Sequence, residues 1–566
     1  NLSRETGNKK SLKFNNIEIK NLSPTFGNSR HLYIPFKVPH NSHLKGLCLR
    51  VSRLKGFKTV KHFVLRYWFQ GKYNKLTLGI FKLGYGVIGI AFAVAVSFII
   101  VSINAIYVTF IQIFLNRWKI YIFFLKLLII STALTGLIYF YSDFTFDVPN
   151  PIKSGVYAAR LRINGEDSPE TEDFVPFVIK PPKGKTTSKL LFVLPSNSYM
   201  AYSNDNLGTN SVVAQLLAGK VPVLAASDLY LNEHREYGLS TYSLHSDGSG
   251  VCYSSRLRPI LNMRPKYRHW LSPSLWQLNA DLHLTDWLEE KNLDFDVVTD
   301  EDLHIEGVDM LNRYRCVLTG SHPEYSSEKM LAAYESYQLN GGRWIYLGSD
   351  GFYWVSEYHP DNTNIIEVRK GEAGTRAWTA NPGEYNNAFD GKFGGMWRAR
   401  GRIPTKVCGL TFTAYGFDVS SYYRREPDSK RPECSWIFEG VGEDEIIGDF
   451  GLVGGGAAGL ELDRYDLEFG TPHNAYLLAR SENHTNLMLQ VNEEIHFSVR
   501  GYYGGGTENP MVRADMIYYK TPNDGALFAP GSLSWCGSLS YNSYNNNVSK
   551  ILENAIRGFL KEGPLP

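Results

Sequence analysis

RCVLTGSHPEYSSEKMLAAYESYQLNGGRWIYLGSDGFYW, residues 315–354, holds two strand-like runs, one helical segment and two polar loops in a single stretch. RCVLTG (315–320) and RWIYLGS (343–349) are short apolar runs of the kind that form buried strands. Between them SSEKMLAAYESYQLNGG (326–342) predicts a helix, and Gly341-Gly342 supplies a C-terminal stop. A strand, a helix and a second strand in succession predict a parallel pair joined by a crossover. In such sheets the chemistry lies beyond the carboxyl ends of the strands, where SHPEY (321–325) and SDGFYW (349–354) fall.

Working outward, KLLFVLP (189–195) is another buried-strand run, LTDWLEEKNL (284–293) is helical, and FDVVTD (295–300) is the next strand. The alternation predicts an α/β fold with a doubly wound parallel sheet. From about 365 to 530 the texture changes to Gly, aromatic and short alternating runs, as in GLTFTAYGFDV and ADMIYYKTP. That region predicts a β-rich, mostly antiparallel insertion or second sheet. VSKILENAIRGFL (548–560) has apolar residues at helical spacing and predicts a closing amphipathic helix.

Charge divides the chain. Of 59 Lys/Arg and 56 Asp/Glu, residues 1–141 hold 20 basic residues and two acids, Glu5 and Glu18, leaving 39 basic and 54 acidic residues beyond. Residues 1–82 therefore read as a basic, poorly ordered leader of atypical composition. Leu83 to Asn116 carries no charge, and a second apolar run from about Tyr121 to Tyr141 contains only Lys126, so 83–141 reads as a transmembrane hairpin. The Lys/Arg excess before it would place the body, 142–566, on the cytoplasmic side. The six cysteines (Cys48, Cys252, Cys316, Cys408, Cys434, Cys536) form no CxxC pair, in keeping with a reduced cytoplasmic enzyme.

Several chemistries are disfavoured. No GxSxG, HExxH, Walker or EF-hand pattern is present. The run 454–459, GGGAAG, satisfies GxGxxG, but no clean strand precedes it and the charged ELDRYD follows, so a dinucleotide site is rejected. Basic residues of the body are scattered, which gives no support to nucleic-acid binding. Three segments stand out: PSNSYMAYSND (195–205), STYSLHSDGSG (240–250) and TGSHPEY (319–325). Each puts Tyr, His, Asp or Glu at a strand end or in a polar loop, where they supply hard oxygen ligands and a proton-transfer group. An ordinary capped loop accounts for any one of them singly, and their spacing alone leaves the function open.

The same segments carry a family resemblance. With SDFTFDVPNPIKSGVYAARL (142–161), FDVVTDEDLHIEG (295–307), YLGSDGFYWV (346–355), GTRAW (374–378), GDFGLVGGGAAGLELDRYD (448–466) and TPNDGALFAPGSLSWCGSL (521–539), the chain resembles the large (beta) subunit of N,N-dimethylformamidase over about 420 residues. The resemblance implies hydrolysis of the C–N bond of a small N-substituted amide, N,N-dimethylformamide-like, to formate and an amine. It implies one Fe(III) per chain, held by Tyr202, Tyr242 and Glu324, with Tyr199 as the alternative to Tyr202. His322 is expected either to carry a proton to the leaving amine or to hydrogen-bond the ligand set, and Asp350, Lys370 and Glu461 are further catalytic candidates. Hard Fe(III) suits two phenolates and a carboxylate.

Two departures stand beside it. Asp350 occupies a position where the family generally has Asn, and the basic, apolar leader replaces a lectin-like β-sandwich before SDFTF. Family enzymes pair this subunit with a small one, so a small subunit and an oligomer are the expected partners besides the amide. The α/β half also resembles class I glutamine amidotransferase-like domains, in fold only, because no Cys sits at a nucleophile turn. Two other readings remain: a related metallo-amidohydrolase acting on another amide, and a non-catalytic binding protein retaining the fold.

Overall fold

Five short runs, buried almost throughout, build the centre of the molecule. They are β1 (Leu190–Leu194), β2 (Asp296–Thr299), β3 (Cys316–Thr319), β4 (Arg343–Ile345) and β9 (Gly525–Ala529). Such runs do not alternate because both faces of the strand are covered. The computed structural model describes residues 31–35, 48–54, 57–69, 72–80, 147–149, 152–162, 172–210, 214–215, 219–497 and 504–565. The expected hairpin over 83–141 lies outside them.

Two units separate. The first takes in Asn1–Asn150, and its strands His31–Pro35, Cys48–Leu54, Phe57–Phe69 and Lys72–Ile80 form an antiparallel meander. The second holds Pro151–Ala159, Phe174–Arg256 and Ile260–Pro566 and contains the large sheet.

In that unit β1 pairs in parallel with β2 and β3, β3 with β4, and β4 with β9, so that Val317 lies beside both Leu191 and Trp344. The sheet then continues antiparallel through β8 (Asp515–Thr521), β7 (Tyr476–Glu482), β5 (Thr411–Arg425) and β6 (Ala458–Arg464). The order is β6-β5-β7-β8-β9-β4-β3-β1-β2. The β-rich region is mostly antiparallel and is inserted in the chain between the parallel neighbours β4 and β9, but it forms no second sheet. Its long strands extend the parallel half edge to edge, because β8 and β9 are joined by the tight turn at 522–524 and zip directly together.

Helices cover both faces. Leu190, Phe192 and Leu194 of β1 pack with Trp287 and Leu288 of α2 (Leu278–Glu290) and with Ile551, Leu552 and Phe559 of α5 (Asn547–Leu560). Leu191 and Val193 face the other way, against Leu303 of α3 (Asp300–Glu306) and Leu331 and Tyr334 of α4 (Glu328–Leu339). This alternation is the period of two that a strand imposes on its side chains. Ser327 caps α4 by accepting from the Met330 amide, and Gly341, at φ 88°, turns the chain out of it.

Candidate metal centre

Beyond β1, Pro195 leads into the short helix α1 (Ser196–Ala201), which ends at Tyr202. Beyond β3 comes the SHPEY loop, and beyond β4 the YLGSD loop (346–350). Adjacent parallel strands therefore deliver Tyr202, His322, Glu324 and Asp350 to one edge of the sheet. The loops are tied to each other. Asp281 of α2 accepts the Ser321 amide at 2.6 Å and the Tyr199 hydroxyl, and Ser198 Oγ accepts the Glu324 amide at 3.1 Å. A Cβ on Gly348 would meet the Ser321 carbonyl oxygen at 2.4 Å, so only glycine lets the two loops lie this close.

Tyr242 arrives from the loop 240–250. The Thr241 amide bonds Ala201 O at 3.0 Å, and Trp378 Nε1 donates to Thr241 O at 2.7 Å. Trp378 lies against Gly250, where a Cβ would meet its ring at 2.0 Å. Glu461 comes from β6 at the far end of the strand order, yet its carbonyl accepts from the Leu533 amide just past β9. That contact folds β6 back over the strand ends. The glycines of 454–459 serve the same packing: a Cβ on Gly459 would lie 2.1 Å from Ser420 Oγ of β5.

The hydroxyls of Tyr202 and Tyr242 are 2.7 Å apart, and that of Tyr242 is 3.0 Å from Glu324 Oε1. His322 Nε2 lies 2.9 Å from Glu461 Oε2, 3.4 Å from Glu324 Oε2 and 4.0 Å from Asp350 Oδ2. Lys370 Nζ donates to the Tyr325 hydroxyl at 2.8 Å and sits 3.8 Å from the centre of the Tyr242 ring. All seven residues singled out from the sequence as ligands or catalytic groups thus meet in one cluster. Its carboxylates, His322 and Lys370 are buried, whereas Tyr202 and Tyr242 keep part of their surface exposed and form the accessible side. Tyr199 is not part of it, because its hydroxyl is spent on Asp281.

Burial first, and the Glu324 charge second, hold the phenols of Tyr202 and Tyr242 well above their ordinary range. Burial likewise raises the carboxyls of Glu324 and, further, Asp350. For His322 burial opposes the charge, but Glu461, Asp350 and Glu324 together outweigh it and raise the imidazole well above its usual value. Burial pushes Lys370 down to about 8, against the pull of Glu324 and Asp350. Four buried atoms, Glu324 Oε2, Asp350 Oδ1, Glu461 Oε2 and His322 Nε2, make no hydrogen bond. Phenols and carboxyls this reluctant to ionise, beside buried carboxylate oxygens that make no hydrogen bond, fit a hard cation that would compensate their charge. His322, Glu324 and Asp350 also bring one donor atom each within 4.8 Å of one another, so Glu324 belongs to two overlapping donor sets.

Backbone strain gathers here. Asp350 (φ 52°), Leu460 (φ 62°, preceding Glu461) and Gln277 (φ 52°) occupy the left-handed region without being glycine. Gln277 is one of the residues that pattern reading missed. Its side-chain amide lies 3.0 Å from His322 Nδ1 and orients the ring. Nothing in SLWQLN marks it, since the contact joins residues 45 apart. Trp276 also escaped notice, and its ring packs edge-on against His322 (5.6 Å) and Tyr202 (6.3 Å). Tyr325 was legible in principle, standing inside SHPEY beside Glu324, but an isolated Tyr carries little signal.

Residues 140–548 match the family described as N,N-dimethylformamidase beta subunit-like, C-terminal. The chain belongs to this family. Among proteins similar to it are the N,N-dimethylformamidase beta subunits of Paracoccus aminophilus and of an Alcaligenes species. Each is 45% identical over 425 residues, which are 75% of this chain and 55% of the relative. The chain thus spans about half the length of the curated N,N-dimethylformamidase beta subunits it matches. A ThuA-like protein from Bacteroides uniformis aligns at 12% identity over 50% of this chain and 86% of its own, but its TM-score of 0.26 is too low to bear on the fold.

Proposed function

We propose that the region from about residue 142 onward is the catalytic part of an iron-dependent hydrolase that cleaves the C–N bond of a small, N,N-dimethylformamide-like amide to formate and an amine. Membership of the N,N-dimethylformamidase beta subunit-like family supports the reaction class. The observation that carries the cofactor is the meeting of two phenols and a carboxyl, Tyr202, Tyr242 and Glu324, at 2.7 and 3.0 Å. Those three side chains would hold one Fe(III), which when bound supplies Lewis-acid polarisation of a carbonyl.

The chain's own residues account for the rest. His322 carries a proton at Nε2 for the departing amine nitrogen, and Gln277 fixes the ring from the other side. Glu461, 2.9 Å from that nitrogen, is placed to take a proton from water and pass it to the imidazole. Trp276 and the ring of Tyr202 give an apolar wall for N-alkyl groups. The name of the relatives, beta subunit, supports a partner subunit in the working assembly.

The test is iron content and formate release by the purified full-length chain. The expected result is one iron per chain with a tyrosinate-to-Fe(III) band in the visible, diminished in Tyr202→Phe and in Tyr242→Phe, lost when both are replaced, and accompanied by loss of amide hydrolysis in each variant. A chain that takes up no iron after reconstitution overturns the reading.

A further inference from the structure

Tyr325 has no role in the scheme above, yet it lies at the centre of the hydrogen bonding. Its hydroxyl donates to the Tyr242 oxygen at 2.7 Å and accepts from Lys370 Nζ at 2.8 Å. An ammonium group has three donors and no acceptor. Lys370 therefore occupies a lone pair of the Tyr325 oxygen and leaves its single proton to Tyr242. The Tyr325 hydrogen thus points away from Lys370 and toward the Tyr242 oxygen. Lys370 is held for this purpose: its ammonium is fully buried and boxed by the faces of Tyr242 (3.8 Å), Trp354 (4.6 Å) and Tyr325 itself (5.3 Å).

Tyr202 is treated differently. Among the described residues, the hydrogen bond its oxygen receives comes from the Tyr242 hydroxyl. That proton leaves when Tyr242 ionises to bind a cation, whereas the one from Tyr325 stays.

We propose that Tyr325 is a positioning residue that keeps a hydrogen bond on the Tyr242 oxygen and thereby makes the two tyrosine ligands unequal, Tyr202 being the stronger electron donor to the metal. This rests on the iron reading above. A donated hydrogen bond withdraws electron density from a phenolate and fixes its lone pairs, as the partners of metal ligands commonly do. A weaker phenolate donor needs more energy for charge transfer to Fe(III), so the Tyr242 contribution to the visible band lies at shorter wavelength than that of Tyr202.

The experiment uses the full-length chain loaded with Fe(III), read by its visible spectrum and by iron affinity against a chelator. Tyr325→Phe is expected to move the band to longer wavelength and to weaken iron binding by about 10–100-fold. Replacing Tyr325 by 3-fluorotyrosine, a stronger donor of nearly the same shape, is expected to move the band the other way. In a Tyr242→Phe background Tyr325→Phe should produce no further movement, whereas in a Tyr202→Phe background the shift should persist. An iron-loaded Tyr325→Phe protein with an unmoved band overturns the proposal, as does a shift that survives in Tyr242→Phe. If Tyr325→Phe does not fold, the fluorinated protein decides alone, an unmoved band overturning the proposal. A wild-type chain without iron overturns the iron reading itself, and this proposal with it.

Discussion

At Asp350 a single oxygen for nitrogen exchange changes the electrostatics of the whole pocket. Its carboxyl is buried beside His322, Glu324 and Glu461, and burial holds it well above the normal acid range. A group whose folded pKa is raised contributes stability only while it stays protonated, and that contribution is lost as pH rises through the folded pKa. Asp350→Asn is therefore expected to stabilise the metal-free protein by on the order of 1 kcal/mol at neutral pH and by nothing below the ordinary aspartate pKa. Urea melts at both pH values check this, and a variant less stable than wild type at neutral pH contradicts it. At this scale much of the site was legible. SHPEY delivers His322 and Glu324 in five letters, because one loop beyond one strand carries both. Gln277 and Trp276 were not legible, because their roles exist only through contacts to His322 across the fold.

Among elements, the loops matter more than the strands that hold them. The loop 240–250 has little core of its own and is held by Trp378 over Gly250 and by three bonds through Thr241. A Cβ at residue 250 would overlap the indole, so Gly250→Ala is expected to displace Trp378 and let Tyr242 swing. Iron affinity should fall at least about tenfold while the melting temperature of the metal-free chain moves little; isothermal iron titration beside calorimetry separates the two. Asp281→Ala differs in kind. It strips partners from the buried Ser321 amide and the half-buried Tyr199 hydroxyl, and is expected to cost about 2–4 kcal/mol in denaturant unfolding. The strands themselves were readable from their apolar runs. Their assembly was not: period-two texture in 365–530 fits an insertion or a second sheet equally, and only the pairing of β8 with β9 makes it one sheet.

For the molecule as a whole, acid sensitivity follows from histidines buried in neutral form. Burial pushes His484 and His304 from 6.5 down to about 4. Because their folded pKa values are depressed, the unfolded chain takes up protons first, so stability is complete above about 6.5 and is lost as pH falls toward 4. For His484 the loss amounts to about 3 kcal/mol. Unfolding free energy followed over that range should decline with falling pH, and His484→Gln should flatten the decline; an unchanged slope in that variant refutes its origin.

By itself the sequence determined the α/β character, the helix stops, the family and the short list of chemically able side chains, because each depends on local pattern or contiguous motif. Tertiary structure alone decided that the antiparallel strands continue the parallel sheet, that Glu461 folds back from the far edge to meet His322, and that Tyr202 faces the site while Tyr199 is spent on Asp281. The physical reason is the same in each case. A buried polar group must find its partner in space, and which partner it finds depends on the loops that cross above the strand ends, at sequence separations no local pattern encodes.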